Sequence, residues 1–205
     1  MRTLLLLLLL PYLTRTISSA QDSTHVPTAV PVSYLQKSVW RVDFFGPGVI
    51  NENRLGRQTT LVAQARLVYG FNAETDVQNN TTQNRFAYTI NPQLSVALRQ
   101  FYNLSRRLEA GKSIRYNSGN YVTAKVLYNF PPLLRHTSSA TLETPDIQGT
   151  QVQVLWGFQR TYRRNFYLNL EVGLGHSAYD TVPVGIASYF TLGYTFPNHS
   201  PRPRP

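Results

Sequence analysis

Val184-Gly-Ile-Ala-Ser-Tyr-Phe-Thr-Leu-Gly-Tyr-Thr-Phe196 alternates with a period of two along its whole length. Val184, Ile186, Ser188, Phe190, Leu192, Tyr194 and Phe196 fall on one side, and Gly185, Ala187, Tyr189, Thr191, Gly193 and Thr195 on the other. Successive side chains of a strand point to opposite faces, so this stretch reads as a strand with one apolar face and one small or polar face. At ~3.3 Å per residue it spans roughly 40 Å, which is long for a soluble strand and suits a tilted crossing of a bilayer with its rims.

Working outward, the same alternation recurs. Residues 35–45 set Trp40, Val42 and Phe44 against Arg41 and Asp43. Residues 49–55 are the weakest strand, with faces of Val49, Asn51, Asn53, Leu55 and of Ile50, Glu52, Arg54. Residues 59–71, 85–99, 119–128, 149–159 and 165–175 repeat the pattern, with Arg66, Arg99, Lys125 and Glu171 on the polar sides. Short turns are expected at 46–48, 55–58 and 160–164, and polar loops at 72–84, 130–148 and 176–183. Pro92 lacks a ladder donor and predicts a bulge or edge-like irregularity. Residues 103–112 carry the one helical signal: Asn103 as cap, Leu104 and Leu108 four apart, and Gly111 at the C′ position.

Met1-Arg2-Thr3, an apolar run over 4–13 and small residues ending at Ala20 read as a cleaved signal peptide over 1–20. That run is too short to cross a bilayer, and no later stretch approaches the ~18 continuous apolar residues of a membrane helix. A membrane-bound mature chain must therefore be a closed barrel, since only helices and barrels satisfy every backbone group in lipid. Residues 21–36, with Pro27 and Pro31, read as a periplasmic lead-in, 37–196 as the outer-membrane β-barrel, and 197–205 as a disordered Pro/Arg tail. There are no cysteines, which excludes disulfides and thiolate metal sites. Export without disulfides fits a Gram-negative envelope. The net charge of +10 falls to +8 once Arg2 and Arg15 leave with the leader. An exported chain meets anionic lipid headgroups and lipopolysaccharide rather than nucleic acid.

Eight strands close either a soluble lipocalin-like barrel with an apolar interior or a membrane barrel with the apolar faces outward. The polar faces favour the second. They carry Arg41, Asp43, Glu52, Arg54, Arg66, Arg99, Lys125 and Glu171 with much Gln, Asn, Ser and Thr, the filling of a small barrel lumen. Arg41, Asp43, Arg66, Arg99, Lys125 and Glu171 are the expected polar network of that lumen. Trp40, Tyr69, Tyr88, Tyr128, Trp156 and Tyr194 lie on the apolar faces, as an aromatic girdle would. With the N-terminus periplasmic, the long loops 72–84 and 129–148 fall outside the cell and the turns 55–58 and 160–164 inside. The short 46–48 turn and the long 100–118 connection depart from that rule. The fold class is thus all-β: an eight-stranded antiparallel up-and-down transmembrane β-barrel.

Several segments together resemble the small outer-membrane β-barrel proteins of Bacteroidetes-type bacteria. They are Phe44-Phe-Gly-Pro-Gly-Val49, Leu55-Gly-Arg-Gln-Thr-Thr-Leu61, Arg99-Gln-Phe-Tyr-Asn-Leu-Ser-Arg-Arg107, Asn117-Ser-Gly-Asn-Tyr121 and Trp156-Gly-Phe-Gln-Arg-Thr-Tyr162. The resemblance implies an OmpA/OmpX-type eight-stranded barrel without a peptidoglycan-binding domain and with no defined activity. It also implies that Gly193, Tyr194 and Phe196 form a C-terminal insertion signal read by the barrel-assembly machinery. In that family the final aromatic ends the chain, whereas here residues 197–205 follow Phe196.

Catalysis is weighed against this. A lipid A-modifying enzyme needs a Ser nucleophile, a His base and a carboxylate close together near the outer rim. His176, Ser177 and Asp180 share one expected outer loop and are the weak catalytic candidates, although adjacent His and Ser in a strand point to opposite faces. His25, His136, His176 and His199 are scattered without metal-ligand spacing, so no metal and no cofactor is expected. Arg106-Arg107, and Arg160 with Arg163-Arg164, read either as solvated turn residues or as partners for inner-leaflet phosphates. Lumen side chains that fill the barrel leave at most weak ion conduction. The sequence therefore reads as a monomeric outer-membrane barrel with a structural, adhesion or interaction role and no catalysis. The alternatives are a lipid A-modifying enzyme and a soluble periplasmic lipocalin-like binder.

Overall fold

The computed structural model describes residues 34–78, 81–177 and 184–197. The expected leader 1–20, the lead-in up to residue 33, Asp180 and the tail beyond Pro197 lie outside the described residues.

One antiparallel sheet closes on itself as a ring of eight strands. They are β1 (Ser38–Asp43), β2 (Gly48–Arg54), β3 (Thr59–Gln78), β4 (Thr81–Phe101), β5 (Asn120–Asn129), β7 (Gly149–Thr161), β8 (Phe166–Ser177) and β9 (Gly185–Thr195). A short strand, β6 (Leu134–Thr137), lies outside the ring order and pairs with β4 at 87–90, beyond the rungs that β4 shares with β5. Neighbouring strands are joined in sequence order, and β9 returns to pair with β1. The ring has two ends. The basal end carries the entry to β1, the 55–58 turn, the 102–119 connection and the 162–165 turn. The apical end carries the 44–47 turn, the β3–β4 tip and the 130–148 loop.

Alternation places the residues as a period of two requires. On β4, Gln93, Ser95, Ala97 and Arg99 are buried while Leu94, Val96 and Leu98 are exposed. On β5, Tyr121, Thr123, Lys125 and Leu127 are buried while Val122 and Val126 are exposed. The apolar faces therefore point out, and the ring interior is polar. Two small apolar clusters sit within it: Ile50, Val62, Ala97 with Tyr167, and Leu35, Phe101, Leu104 with Tyr121.

The structure corrects several expectations. Residues 72–78 and 81–84 are strand and not loop: β3 and β4 stay in register from Thr59↔Gln100 to Gln78↔Thr81. Polar side chains there read as loop because this part of the sheet stands beyond the ring interior. Of the two readings of Pro92, the bulge is absent, since it pairs with Leu67 in register, while the edge-like one holds, since β4 pairs with β5 only from Gln93 and with β6 only to Ile90. The Pro92 carbonyl accepts from Phe130 N at 2.9 Å, and in an antiparallel strand a residue's N and O face the same neighbour. The missing donor thus faces the junction between β5 and β6, where it breaks no rung with β3.

Asn103 makes no side-chain cap on the helix α1 (Leu104–Glu109); its Oδ1 accepts from Asn120 N at 2.8 Å and ties the connection to β5. The C-terminus of α1 does close as the sequence suggests. Gly111 takes φ +64, Gly111 N donates to Leu108 O and Lys112 N to Arg107 O, which together form a Schellman motif. Arg54, read with the interior set, is exposed at the basal rim and donates to Leu35 O at 3.0 Å.

The β9–β1 seam is short: Arg41↔Thr195, Val42↔Tyr194 and Asp43↔Gly193. Phe44 N→Leu192 O and Phe196 N→Trp40 O, both 2.9 Å, extend it by one bond at each side. The two strands approach so closely that a Cβ at Gly193 would lie 1.9 Å from Val42 O. Tyr194 and Phe196 stack edge to face on the outer side of this seam, with centroids 5.7 Å apart.

Candidate functional site

The buried ions form two hydrogen-bonded groups in the ring interior, a larger central and basal one and a smaller apical one. At the centre the Glu171 carboxylate on β8 accepts from Arg99 Nη2 of β4 at 2.8 Å and from the Tyr121 hydroxyl of β5 at 2.7 Å. Lys125 Nζ pairs with its other oxygen. β4 and β8 are not neighbours in the sheet, so the Arg99–Glu171 pair crosses the interior. Arg99 also donates to Gln159 Oε1 at 2.9 Å and lies over the Tyr121 ring at 4.5 Å.

Toward the basal end, Arg41 pairs with Glu52 at 2.7 Å, both side chains fully buried. Glu52 accepts further from Thr60 Oγ1 at 2.8 Å and Gln159 Nε2 at 3.2 Å, while Arg41 stacks over Tyr167 at 4.6 Å. Toward the apical end, Arg66 donates to Gln93 Oε1 at 2.8 Å and lies 3.9 Å from Asp43. Gln93 continues to Asn129 at 2.7 Å, and Asn129 to Ile147 O at 2.8 Å. Four cations thus face three carboxylates. Each carboxylate has a cation within ion-pair distance, which is the condition for burying charge without a prohibitive desolvation cost.

The 102–119 connection closes the basal end over this network. Tyr116 and Asn117 take φ +52 and +60, and Ser118 N returns to Arg115 O at 3.1 Å, so 115–118 is a turn of the left-handed I′ type. The turn presents its carbonyls inward: Arg41 Nη2 donates to Tyr116 O at 2.8 Å and Gln159 Nε2 to Asn117 O at 2.7 Å.

The structure brings Arg41, Asp43, Arg66, Arg99, Lys125 and Glu171 inside. Bonds through Gln159 and Glu52 join Arg41, Arg99, Lys125 and Glu171, while the Arg66–Asp43 pair meets them only at the Tyr189 ring, over which Arg66 and Lys125 lie at 5.0 and 4.4 Å. Sequence reasoning put Glu52 on a lumen face without joining it to the network, and it left out Gln159, Tyr121, Tyr167 and Asn169. Strand parity holds the signal that finds the tyrosines: Tyr121 is in phase with Thr123 and Lys125, and Tyr167 with Asn169 and Glu171. Gly193, Tyr194 and Phe196 lie at the seam. His176 is exposed on the outer face of β8, and Ser177 follows it on the inward side. The two are not brought to one face, and Asp180 lies outside the described residues. Among the described residues no group of His, Asp and Glu is arranged to hold a metal ion.

Charge outside the interior is sorted by end. Lys37, Arg54 and Arg57 stand around the first basal turn, and Arg106, Arg107, Lys112 and Arg115 line the 102–119 connection. Arg160, Arg163 and Arg164 stand at the last basal turn, and Glu109 is the one acidic residue described at this end. At the apical end Glu74, Glu143 and Asp146 outnumber Arg85 and Arg135.

Comparison with protein-family models, with curated proteins and with solved structures finds no match to this chain.

Proposed function

We propose that the chain is an exported outer-membrane β-barrel with a structural, adhesion or interaction role and no catalysis. The observation that carries this reading is the inverted polarity of the ring. Among the described residues thirty large hydrophobic side chains are exposed against fourteen buried hydrophobic ones, while Arg41, Glu52 and Glu171 are at most 1% exposed. Fully burying one such apolar side chain is worth about 1.5–3 kcal/mol, so an outer face of this kind is costly in water and stable in lipid. A soluble barrel with an apolar interior needs the opposite arrangement.

Dimensions agree with a bilayer. The outward residues of β9 run from Ile186 to Phe196, roughly 33 Å along the strand at ~3.3 Å per residue. Tilted at ~45°, that gives about 23 Å, close to the apolar band of an outer-membrane barrel. No helix among the described residues is long and apolar enough to cross a membrane, so strands would carry the crossing. The neighbours under this reading are outer-membrane lipid, lipopolysaccharide and the assembly machinery that would read the Gly193–Phe196 region, and the chain acts as a monomer. His176 and Ser177 on opposite faces favour a non-catalytic role over a lipid A-modifying one.

Outer-membrane fractionation followed by electrophoresis of heated and unheated samples tests the reading. The expected result is membrane-fraction protein whose unheated form migrates apart from the heated form. Recovery in the soluble periplasmic fraction, with one mobility, sinks it.

A further inference from the structure

Arg107 and Arg160 are brought together at the basal rim from two different elements. Arg160, at the end of β7, donates to Asn120, whose N donates to Asn103 Oδ1, and Arg107 on α1 lies one helical turn on, its N donating to Asn103 O. Arg160 is fixed by neutral acceptors: Gly119 O at 2.8 Å, Gln159 O at 2.7 Å and Asn120 Oδ1 at 2.6 Å. Its guanidinium also lies 5.3 Å from the Phe158 ring centroid. Arg107 donates to Ser113 O at 2.8 Å, and its Nε is buried without a partner. Among the described residues neither guanidinium has a carboxylate within 4.0 Å. Two cations at one rim, each held by neutral oxygens and with donors to spare, are half of an ion pair.

The surroundings say what supplies the other half. Tyr102 and Tyr162 are more than half exposed, and Trp156 Nε1 donates to the Tyr102 hydroxyl at 2.8 Å. These rings continue the apolar outer face of Val122, Val154 and Phe166 into the rim, where amphipathic aromatics mark the headgroup level of a bilayer. Partial burial lowers the Arg107 pKa, against the pull of Tyr162, and a neighbouring anion would reverse that cost. Arg163 and Arg164 add charge on the β7–β8 turn beside it.

We propose that Arg107 and Arg160, with Tyr102, Tyr162 and Trp156, form a binding site for the phosphate of an anionic phospholipid in the leaflet at the basal end. The proposal rests on the membrane reading above. Each guanidinium donates to phosphate oxygens, the tyrosine hydroxyls lie at the ester level, and the acyl chains run along the outer face of β5 and β7.

The test uses the full chain refolded into phosphatidylcholine vesicles with or without one-fifth phosphatidylglycerol, then released in mild detergent for native mass spectrometry. Wild-type protein is expected to retain phosphatidylglycerol, which the Arg107→Gln/Arg160→Gln variant loses by on the order of 100-fold, the scale of two charge-assisted hydrogen bonds to one phosphate. Arg57→Gln/Lys112→Gln, equal in charge change, is expected to lose much less. Arg107→Lys/Arg160→Lys is expected to fold as wild type does, by heat-modified mobility, with retention in between. Inorganic phosphate in excess should not displace the lipid; displacement would reassign the pair to a free anion and overturn the proposal. Equal retention by wild type and the Gln variant, or equal losses in both Gln variants, also overturns it and leaves a merely solvated basic rim. Failure of the wild-type chain to float with either vesicle overturns the membrane reading itself, and the lipid site with it.

Discussion

At Glu171 three donors converge on one carboxylate, and that fixes which substitutions hurt. Glu171→Gln leaves Lys125 and Arg99 buried without their counter-ion and is expected to destabilise by about 3–5 kcal/mol. Lys125→Met leaves the carboxylate with Arg99 and Tyr121 and is expected to cost clearly less. Urea unfolding in lipid vesicles, followed by the fluorescence of Trp40 and Trp156, gives both values, and the reverse ranking would refute the account of this centre. Gly193 is sensitive for another reason. Its missing Cβ makes room for Val42 O across the seam, so Gly193→Ala is expected to cost about 3 kcal/mol and to reduce the heat-modifiable form. The charged members of the interior were readable from their type and parity. Tyr121 and Tyr167 were not singled out, because an aromatic on a polar face reads as an exception until Arg99 is placed over the first ring and Arg41 over the second.

Among the elements, strong alternation made β3, β4, β5, β7, β8 and β9 legible in the sequence, and their ends were harder to place. The β3–β4 hairpin outruns the expected limits because backbone pairing continues where no interior remains to demand an apolar and a polar side. β6 was missed because four residues held by β4 need no alternation of their own. Past the ring, Thr75 Oγ1 donates to Asn84 Oδ1 and Arg85 donates to Thr141 Oγ1, with Thr75 and Asn84 exposed and Arg85 half-buried. Replacing 75–84 by a two-residue Asn-Gly turn is therefore expected to change stability by less than ~1 kcal/mol, as measured by the same urea titration. A large loss would mean that the hairpin tip supports the ring. The 102–119 connection behaves in the opposite way. It looked like an overlong inner loop, yet its length is what lets Tyr116 and Asn117 turn their carbonyls onto Arg41 and Gln159 and close the basal end.

For the whole molecule, the inference from sequence rested on which faces carry charge, and that much of the fold is physical necessity once the strands close. The candidate interior followed from the same argument, whereas its partnering across the ring needed coordinates, since parity says inward but not opposite whom. A filled interior has a measurable consequence: the refolded protein is expected to show no stepwise conductance in a planar bilayer, and open-channel steps of pore size would contradict the packing of Arg99, Lys125 and Gln159. The seam between the first and last strands carries a different consequence. Residues 41–43 find their second set of backbone partners only at 193–195, so a ribosome must have made the chain through residue 195 before the circle can shut. Until that moment the β1 margin stays available to whatever helper escorts the chain.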